Sequence, residues 1–443
     1  MNRLIVITIL TALAGALGEP ARAASTNATA VIVTPEYLSQ LADEMRTNHP
    51  ALRAAAAMTN SAAAAVAAVR TWEDPMVMAG LMAAREDFRA SDGDIIYGVE
   101  QKLPLFGKPG LERNVARAEL AVESANLEFQ FQTRRVNLAK AAFRAALADR
   151  VVGIGEQDVS WLDDMKQLLE QNTRVGKASL VEVLQLENER AKRLNQLQSD
   201  RNQLAHEQVS LNRLLNRAVN SPWPRLELPA VAGAVQFNAR LLDFALKYEP
   251  QTVKMQQQVK QSEAMVAVTR RQKYPDISAG VEARNYSGDG SFRQGMFILR
   301  MNFPWANAGK IRADVRRDEA KLAATQFELA DMQTGVREEV HQLTVKTDAA
   351  RREALLYRDQ IIPRTESTLE TIRTGWQTGQ NTFREVLDTH RMLLDARLMF
   401  VRAVAEQYQM LSELVLCCGA GNLDALTMIG AEAEIPAGGK LHE

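Results

Sequence analysis

Little in this chain could carry covalent chemistry. Its 443 residues include only two cysteines, the neighbours Cys417 and Cys418. Adjacent thiols can form neither a disulfide framework nor a spaced zinc site. The five histidines are scattered without ligand spacing. No nucleophile–base set, phosphate-cradling loop or metal cluster stands out, so the reading is of a protein that is not an enzyme, with no catalytic residue, metal or cofactor. The formal net charge is −1, which argues against nucleic-acid binding, since that needs a basic face. Aromatic residues are few (6%), while Ala, Leu, Gln, Glu and Arg are plentiful, the profile of long helices with much surface. Beyond the N-terminus no run has the length and apolarity of a transmembrane helix. A membrane could be crossed only by a closed β-barrel.

The N-terminus itself is apolar. Met1-Asn2-Arg3 gives a positive start, Leu4 to Leu17 is almost unbroken in its hydrophobicity, and Ala21-Arg22-Ala23 fits a small-x-small cleavage site. Residues 1–23 therefore read as a secretory signal peptide. The alternative, an uncleaved anchor, would need about 20 apolar residues. No cysteine follows to carry a lipid.

What the chain does have is a repeat. Asn48-His49-Pro50 returns as Tyr248-Glu249-Pro250, Asp74-Pro75 as Tyr274-Pro275, and Leu103-Pro104 as Phe303-Pro304, each 200 residues on. The offset is 202 at Gly107-Lys108 and Gly309-Lys310, and 203 at Gly176 and Gly379. Such units far exceed the roughly 20–50 residues of a small-repeat solenoid. The chain divides into a first repeat at 34–219, a proline-bearing linker at 220–237 and a second repeat at 238–418. The Gly- and Ala-rich residues 419–443 read as a poorly ordered tail.

Each repeat follows one plan of helix, two strands, a very long helix, a break and another helix. Glu36 to Arg70 is Ala-rich and favours helix. Ile95, Tyr97 and Val99 alternate with Ile96, Gly98 and Glu100, and Met76 to Phe88 is a weaker strand before the turn residues Ala90 to Asp94. In the second repeat Ile277, Ala279, Val281 and Ala283 alternate with Ser278, Gly280, Glu282 and Arg284. After a turn at Ser287 to Gly290, Phe297, Leu299, Met301 and Phe303 alternate with Ile298, Arg300 and Asn302. Strands of this length with one apolar face match the ~9–11 residues of a lipid-spanning barrel strand. After each Gly-Lys comes a stretch of helix that would reach about 100 Å at ~1.5 Å per residue. Leu194, Leu197, Leu204, Leu211 and Leu215 then suit coiled-coil packing. Met76, Met78 and Met82 share one strand face and read as lipid-facing rather than as soft-metal ligands; Cys417 and Cys418 read as buried thiols.

Two breaks carry a resemblance. They run Arg174-Val175-Gly176-Lys177-Ala178-Ser179-Leu180-Val181-Glu182-Val183-Leu184 and Thr378-Gly379-Gln380-Asn381-Thr382-Phe383-Arg384-Glu385-Val386-Leu387-Asp388. Both are similar to the Val-Gly-x-x-x-x-x-Asp-Val-Leu hairpin motif of the TolC family of outer-membrane efflux proteins, with Glu in place of Asp and Thr378 in place of Val. Leu103 to Leu111 resembles the Pro-x-x-Gly-Lys stretch of that family's heavy-metal branch.

The resemblance implies a mainly α fold with a small β part. Three copies would share a twelve-stranded transmembrane β-barrel, four strands from each, above a long α-helical coiled-coil barrel. It implies a passive duct from the periplasm across the outer membrane of a Gram-negative cell. The duct would dock a periplasmic membrane-fusion adaptor and an inner-membrane pump of the RND type. Val175, Gly176, Thr378 and Gly379 would form the adaptor-docking tips, with glycine serving a tight turn at φ > 0. Glu385 and Asp388, three apart on one helix face, would form the periplasmic gate, with Glu182 in the first repeat. Carboxylates crowded around a threefold axis should favour cations and raise one another's pKa. Arg174 and Arg384 are candidate ties holding the hairpins closed. Phe297, Leu299, Met301 and Phe303 would face lipid. The rival reading is a periplasmic coiled-coil structural or adaptor protein that never enters the membrane.

Overall fold

The computed structural model describes residues 30–82, 94–174, 179–420 and Leu426. The segment expected to be a signal peptide, the expected turn residues Ala90 to Gly93, Val175, Gly176 and most of the tail lie outside the described residues. β1 (Val31–Ile32) leads into α1 (Pro35–Asn48) and α2 (Pro50–Ala68). The single helix expected over Glu36 to Arg70 is thus two. Pro50 disfavours helix at His49 and opens the next helix at its first position. His49 stands extended, and its Nδ1 accepts the Ala51 N–H at 3.2 Å.

β2 (Met76–Met82) and β3 (Asp94–Lys102) follow, then α3 (Lys108–Arg174), one unbroken helix of 67 residues. α4 (Leu180–Leu215) returns alongside it. Within the linker, β4 (Leu226–Glu227) pairs in parallel with β1. The Leu226 N–H donates to the Asp149 carboxylate of α3 at 2.9 Å, so the linker is pinned to the wall it joins.

The second repeat breaks at its own proline, giving α5 (Ala239–Tyr248) and α6 (Pro250–Arg271). β5 (Ile277–Tyr286) and β6 (Phe292–Met301) come next. The following long helix is not continuous. α7 (Ala308–Leu356) passes through a π-turn at Tyr357–Ile361 into α8 (Ile362–Gln377), with Pro363 in the first turn of α8. Proline has no N–H for the ladder and crowds the carbonyl four residues back. That carbonyl belongs to Asp359, within the wider turn. α9 (Phe383–Cys417) completes the repeat.

The hairpins β2–β3 and β5–β6 join into one antiparallel sheet in the order β2-β3-β5-β6. Residues directly opposite share a face. Val77, Val99, Val281 and Phe297 form one row across all four strands, on the outer, apolar face. Val77 and Leu81 are 77% and 84% exposed in the protomer. The next row is Met76, Glu100, Gly280 and Ile298, and the opposite face also carries Glu282 and Arg300. Met76, Met78 and Met82 therefore face the polar interior and not lipid. An Arg300 guanidinium N–H lies 3.8 Å from the Met78 sulfur. The strand Met-Val-Met-Ala-Gly-Leu-Met is apolar on both faces, so alternation cannot orient it. Its register with β3 does.

The start of the tail is ordered. Gly419 (φ 59°) and Ala420 close α9 with bonds to Leu416 and Val415, both 2.9 Å, and Ala420 accepts from Arg135 at 2.9 Å. Ala420 and Leu426 are buried with Leu241, Val340 and Cys418. The rest of 419–443 lies outside the described residues. Burial pushes the Cys418 thiol up to about 12, so both cysteines sit protonated in an apolar core.

Candidate functional site: the hairpin tips and their tie

At the far end from the sheet, α3, α4, α8 and α9 pack around Leu162, Leu169, Val183, Leu186, Phe383 and Val386. Val183 and Val386 are equivalent positions of the two repeats, and both point into this shared core. Around it, each return helix starts with the same device. Ser179 N–H donates to the Glu182 carboxylate at 2.9 Å, while the Ser179 hydroxyl accepts the Val181 N–H at 3.1 Å. Thr382 N–H donates to the Glu385 carboxylate at 2.9 Å, and the Thr382 hydroxyl accepts the Glu385 N–H at 3.3 Å. These are capping boxes, which satisfy otherwise orphaned helix N-terminal N–H groups. The pattern was visible as Ser179-x-x-Glu182 and Thr382-x-x-Glu385, a helix-start signature that the family motif overlay.

The second tip is a complete Schellman turn. Gly379 has φ 79°, its N–H bonds Trp376 at 3.1 Å, and the Gln380 N–H bonds Gly375 at 2.7 Å. The positive φ expected of this glycine is present. Gly375, which the sequence did not single out, is constrained by space, since a Cβ there would lie 2.0 Å from the Asn381 side-chain oxygen. Thr378 caps the end of α8.

Glu385 and Asp388 lie on the exposed face of α9, opposite Phe383, Val386 and Leu387. Within the protomer the Thr382 N–H, helped by the Asn381 amide, holds the Glu385 carboxyl below its ordinary value. That is opposite in direction to crowding by other carboxylates. Asp388 is not bare either. It lies 3.0 Å from Arg391 and 3.7 Å from Arg384. The exposed face is thus less acidic than its carboxylates alone indicate.

The contact that joins the two hairpins is made by residues the sequence reading passed over. Arg391 of α9 reaches Glu189 of α4 at 2.6 Å and 3.2 Å, a two-pronged ion pair. Burial pushes the Glu189 carboxyl up, but the Arg391 hydrogen bond and the charges of Arg391 and Arg193 leave it below its ordinary value. On the neighbouring α3, Asp158 is buried. It bonds His390 Nε2 at 2.7 Å and pairs with Arg193 at 3.2 Å. The His390 ring stacks on Trp161, centroids 3.4 Å apart. Arg384, a proposed tie, pairs instead with Asp388 of its own helix, at 3.7 Å.

Long helices tied into two hairpins below a four-stranded sheet with an apolar outer face define a helical-tunnel, β-barrel type of channel subunit. The chain belongs to the outer membrane efflux protein family, whose model matches residues 41–217 and 241–420. It is similar to the cobalt-zinc-cadmium resistance protein CzcC of Cupriavidus metallidurans, 20% identical over 173 residues. That match spans 38% of this chain and 40% of the relative. In three dimensions it is similar to the channel CusC (TM-score 0.77, 18% identity, 88% of this chain and 93% of that one). It is also similar to the outer-membrane channel OprN (TM-score 0.76, 17% identity, 87% and 90%). A further likeness is to VceC from Vibrio cholerae (TM-score 0.72, 16% identity, 87% and 97%).

Proposed function

We propose that the protein is the outer-membrane duct of a tripartite efflux pump. Three copies close a twelve-stranded barrel and stack their helices into a tunnel through the periplasm. The observation that carries this reading is the sheet. It has an apolar outer face, and each of its edge strands, β2 and β6, has one side without a strand partner among the described residues. Unpaired backbone groups in hydrocarbon cost several kcal/mol each, so the edges call for partners. β6 of one copy pairing with β2 of the next supplies them with an even strand number. Phe297, Leu299, Met301 and Phe303 then face lipid.

The tips around Thr378 and Gly379, with Val175 and Gly176 in the first repeat, dock a periplasmic adaptor. An inner-membrane pump of the RND type supplies the energy. Glu385 and Asp388, with Glu182, line the constriction and favour cations. The cargo is metal ions or small molecules, and the likeness to CzcC favours divalent cations. The chain needs no reacting group of its own for this task.

The test is to fractionate the membranes and run the protein with and without heating. A heat-modifiable trimer in the outer membrane is expected, and a soluble periplasmic monomer would refute the reading. Deletion should sensitise cells to cobalt, zinc or cadmium, and unchanged tolerance would remove the metal cargo.

A further inference from the structure

The two repeats pass from sheet to helix differently, and the second leaves a cleft there. In the first, the backbone turns on Phe106 (φ 59°) and Gly107 (φ 69°). In the second, two extra residues are accommodated by a 3₁₀ turn at Pro304–Asn307 that carries Trp305. Between this turn, the end of α6 and the first turns of α7 lies an open cleft of about 650 Å³. Arg270, Lys273, Arg312 and Arg316 line it together with Trp305, and no acidic residue does so among the described residues. Arg270 is paired with Glu319 at 2.6 Å. The other three cations have no carboxylate within the cleft walls.

Its position says what it meets. Trp305 is 56% exposed and touches Phe303, ring centroids 6.0 Å apart. Phe303 continues the apolar stripe of Phe297, Leu299 and Met301 on the outer face of β6. The cleft therefore begins where that stripe ends, at the helical side of the barrel. Tryptophan is enriched at this depth, where a membrane changes from hydrocarbon to headgroup. Guanidinium groups match phosphate oxygens in pairs.

The geometry points to a binding site for the phosphate of a glycerophospholipid in the periplasmic leaflet, with its acyl chains along Phe303 and Trp305. This rests on the reading of the sheet as part of a membrane barrel. The site would fix the depth of the barrel, once per protomer, at the junction with the tunnel.

The experiment is native mass spectrometry of the detergent-purified trimer. It is titrated with phosphatidylglycerol, with diacylglycerol, and with inorganic phosphate. Wild type is expected to retain up to three phosphatidylglycerol molecules per trimer and no diacylglycerol. R312Q/R316Q, and separately K273Q, should weaken retention at least tenfold, while R352Q, farther along α7, should not. Equal retention by wild type and both cleft variants overturns the proposal. So does displacement of the lipid by inorganic phosphate, which would mark a free-anion site. In the delipidated trimer, R316C should react with a water-soluble maleimide; protection there means that a neighbouring copy fills the cleft, which also overturns it. The same spectra report the trimer, so loss of lipid is distinct from loss of assembly.

Discussion

The two repeats descend from one plan, and the places where they part company can be located to a few residues. Leu103-Pro104 and Phe303-Pro304 are 200 residues apart, Gly107 and Gly309 are 202 apart, and Gly176 and Gly379 are 203 apart. The first change falls at the 3₁₀ turn bearing Trp305. The second falls along the long helix, where α3 is unbroken and the second repeat has the π-turn Tyr357–Ile361. A π-turn is one residue inserted into an α-helix, which accounts for the drift. At the same level of the first repeat stand Asp158 and Trp161, holding His390. One repeat thus carries the unbroken wall and the buried carboxylate of the polar anchor. The other carries the departure from α geometry. Similar halves have been given different mechanical tasks.

The largest expected effect is at the tip of the second repeat. Gly379→Val forces a β-branched residue to φ 79°, a local cost of about 1–3 kcal/mol, and reshapes the surface offered to an adaptor. Efflux should be abolished while trimers still reach the outer membrane, as read by drug or metal tolerance beside fractionation. Wild-type tolerance would remove docking from this tip. Gly375→Ala should act in the same direction by driving Asn381 out of place.

Next comes the anchor. Asp158→Ala strips a buried carboxylate from His390 and Arg193, and breaking a buried pair costs about 3–5 kcal/mol. The thermal midpoint of the trimer should fall by several degrees. A substitution at the matching level of the second repeat, Gln360→Ala, should change it little. Equal losses would mean that the anchor is not specific to the first repeat.

The sheet separates its faces in a comparable way. Val77→Arg places a charge on the outer face, costing about 2–4 kcal/mol near the bilayer midplane, and should reduce the yield of folded trimer. Met78→Arg, one residue on, faces the polar interior and should be tolerated. The reverse outcome would restore the methionines to the lipid side.

Much of this was legible in the residues, and the exceptions have physical reasons. The break at Pro50 was masked by the alanines around it, since helix propensity alone joins Glu36 to Arg70 into one helix and a single proline overrides it locally. The strands of the second repeat could be oriented from alternation, since Phe297, Leu299 and Met301 contrast with Arg300 and Asn302. β2 could not, because its residues are apolar on both faces and only pairing with β3 sets its direction. Glu182 and Glu385 were visible as acids after the tip glycines, and their bonds to Ser179 and Thr382 followed from a three-residue spacing. The Arg391–Glu189 tie was hidden, because its partners are 202 residues apart and each sits in an ordinary charged helix.

The gate should show the asymmetry as a smaller, measurable change. E385Q with D388N is expected to alter single-channel conductance severalfold in planar bilayers and to weaken block by divalent cations. Glu182→Gln should do less, since Gln185 stands where the second repeat has Asp388. Equal effects from both repeats would make the tips equivalent in permeation, and no effect from either would remove the carboxylates from the constriction.

The smallest effect is the tie between hairpins, and its sign follows from Glu189. The carboxyl is held below its ordinary 4.5 by Arg391 and Arg193. A depressed carboxyl contributes its stabilisation in full above that ordinary value and loses it as pH falls through the lower folded value. The tie should therefore be intact at neutral pH and weaken only below about pH 4. With Arg391 half exposed, the pair is worth roughly 1 kcal/mol. Hydrogen exchange in α4 and α9 should accelerate in that acid window for wild type. E189Q should show the faster exchange already at neutral pH and little further change on acidification. An acid response in E189Q as large as that of wild type would assign the titration to a group other than Glu189.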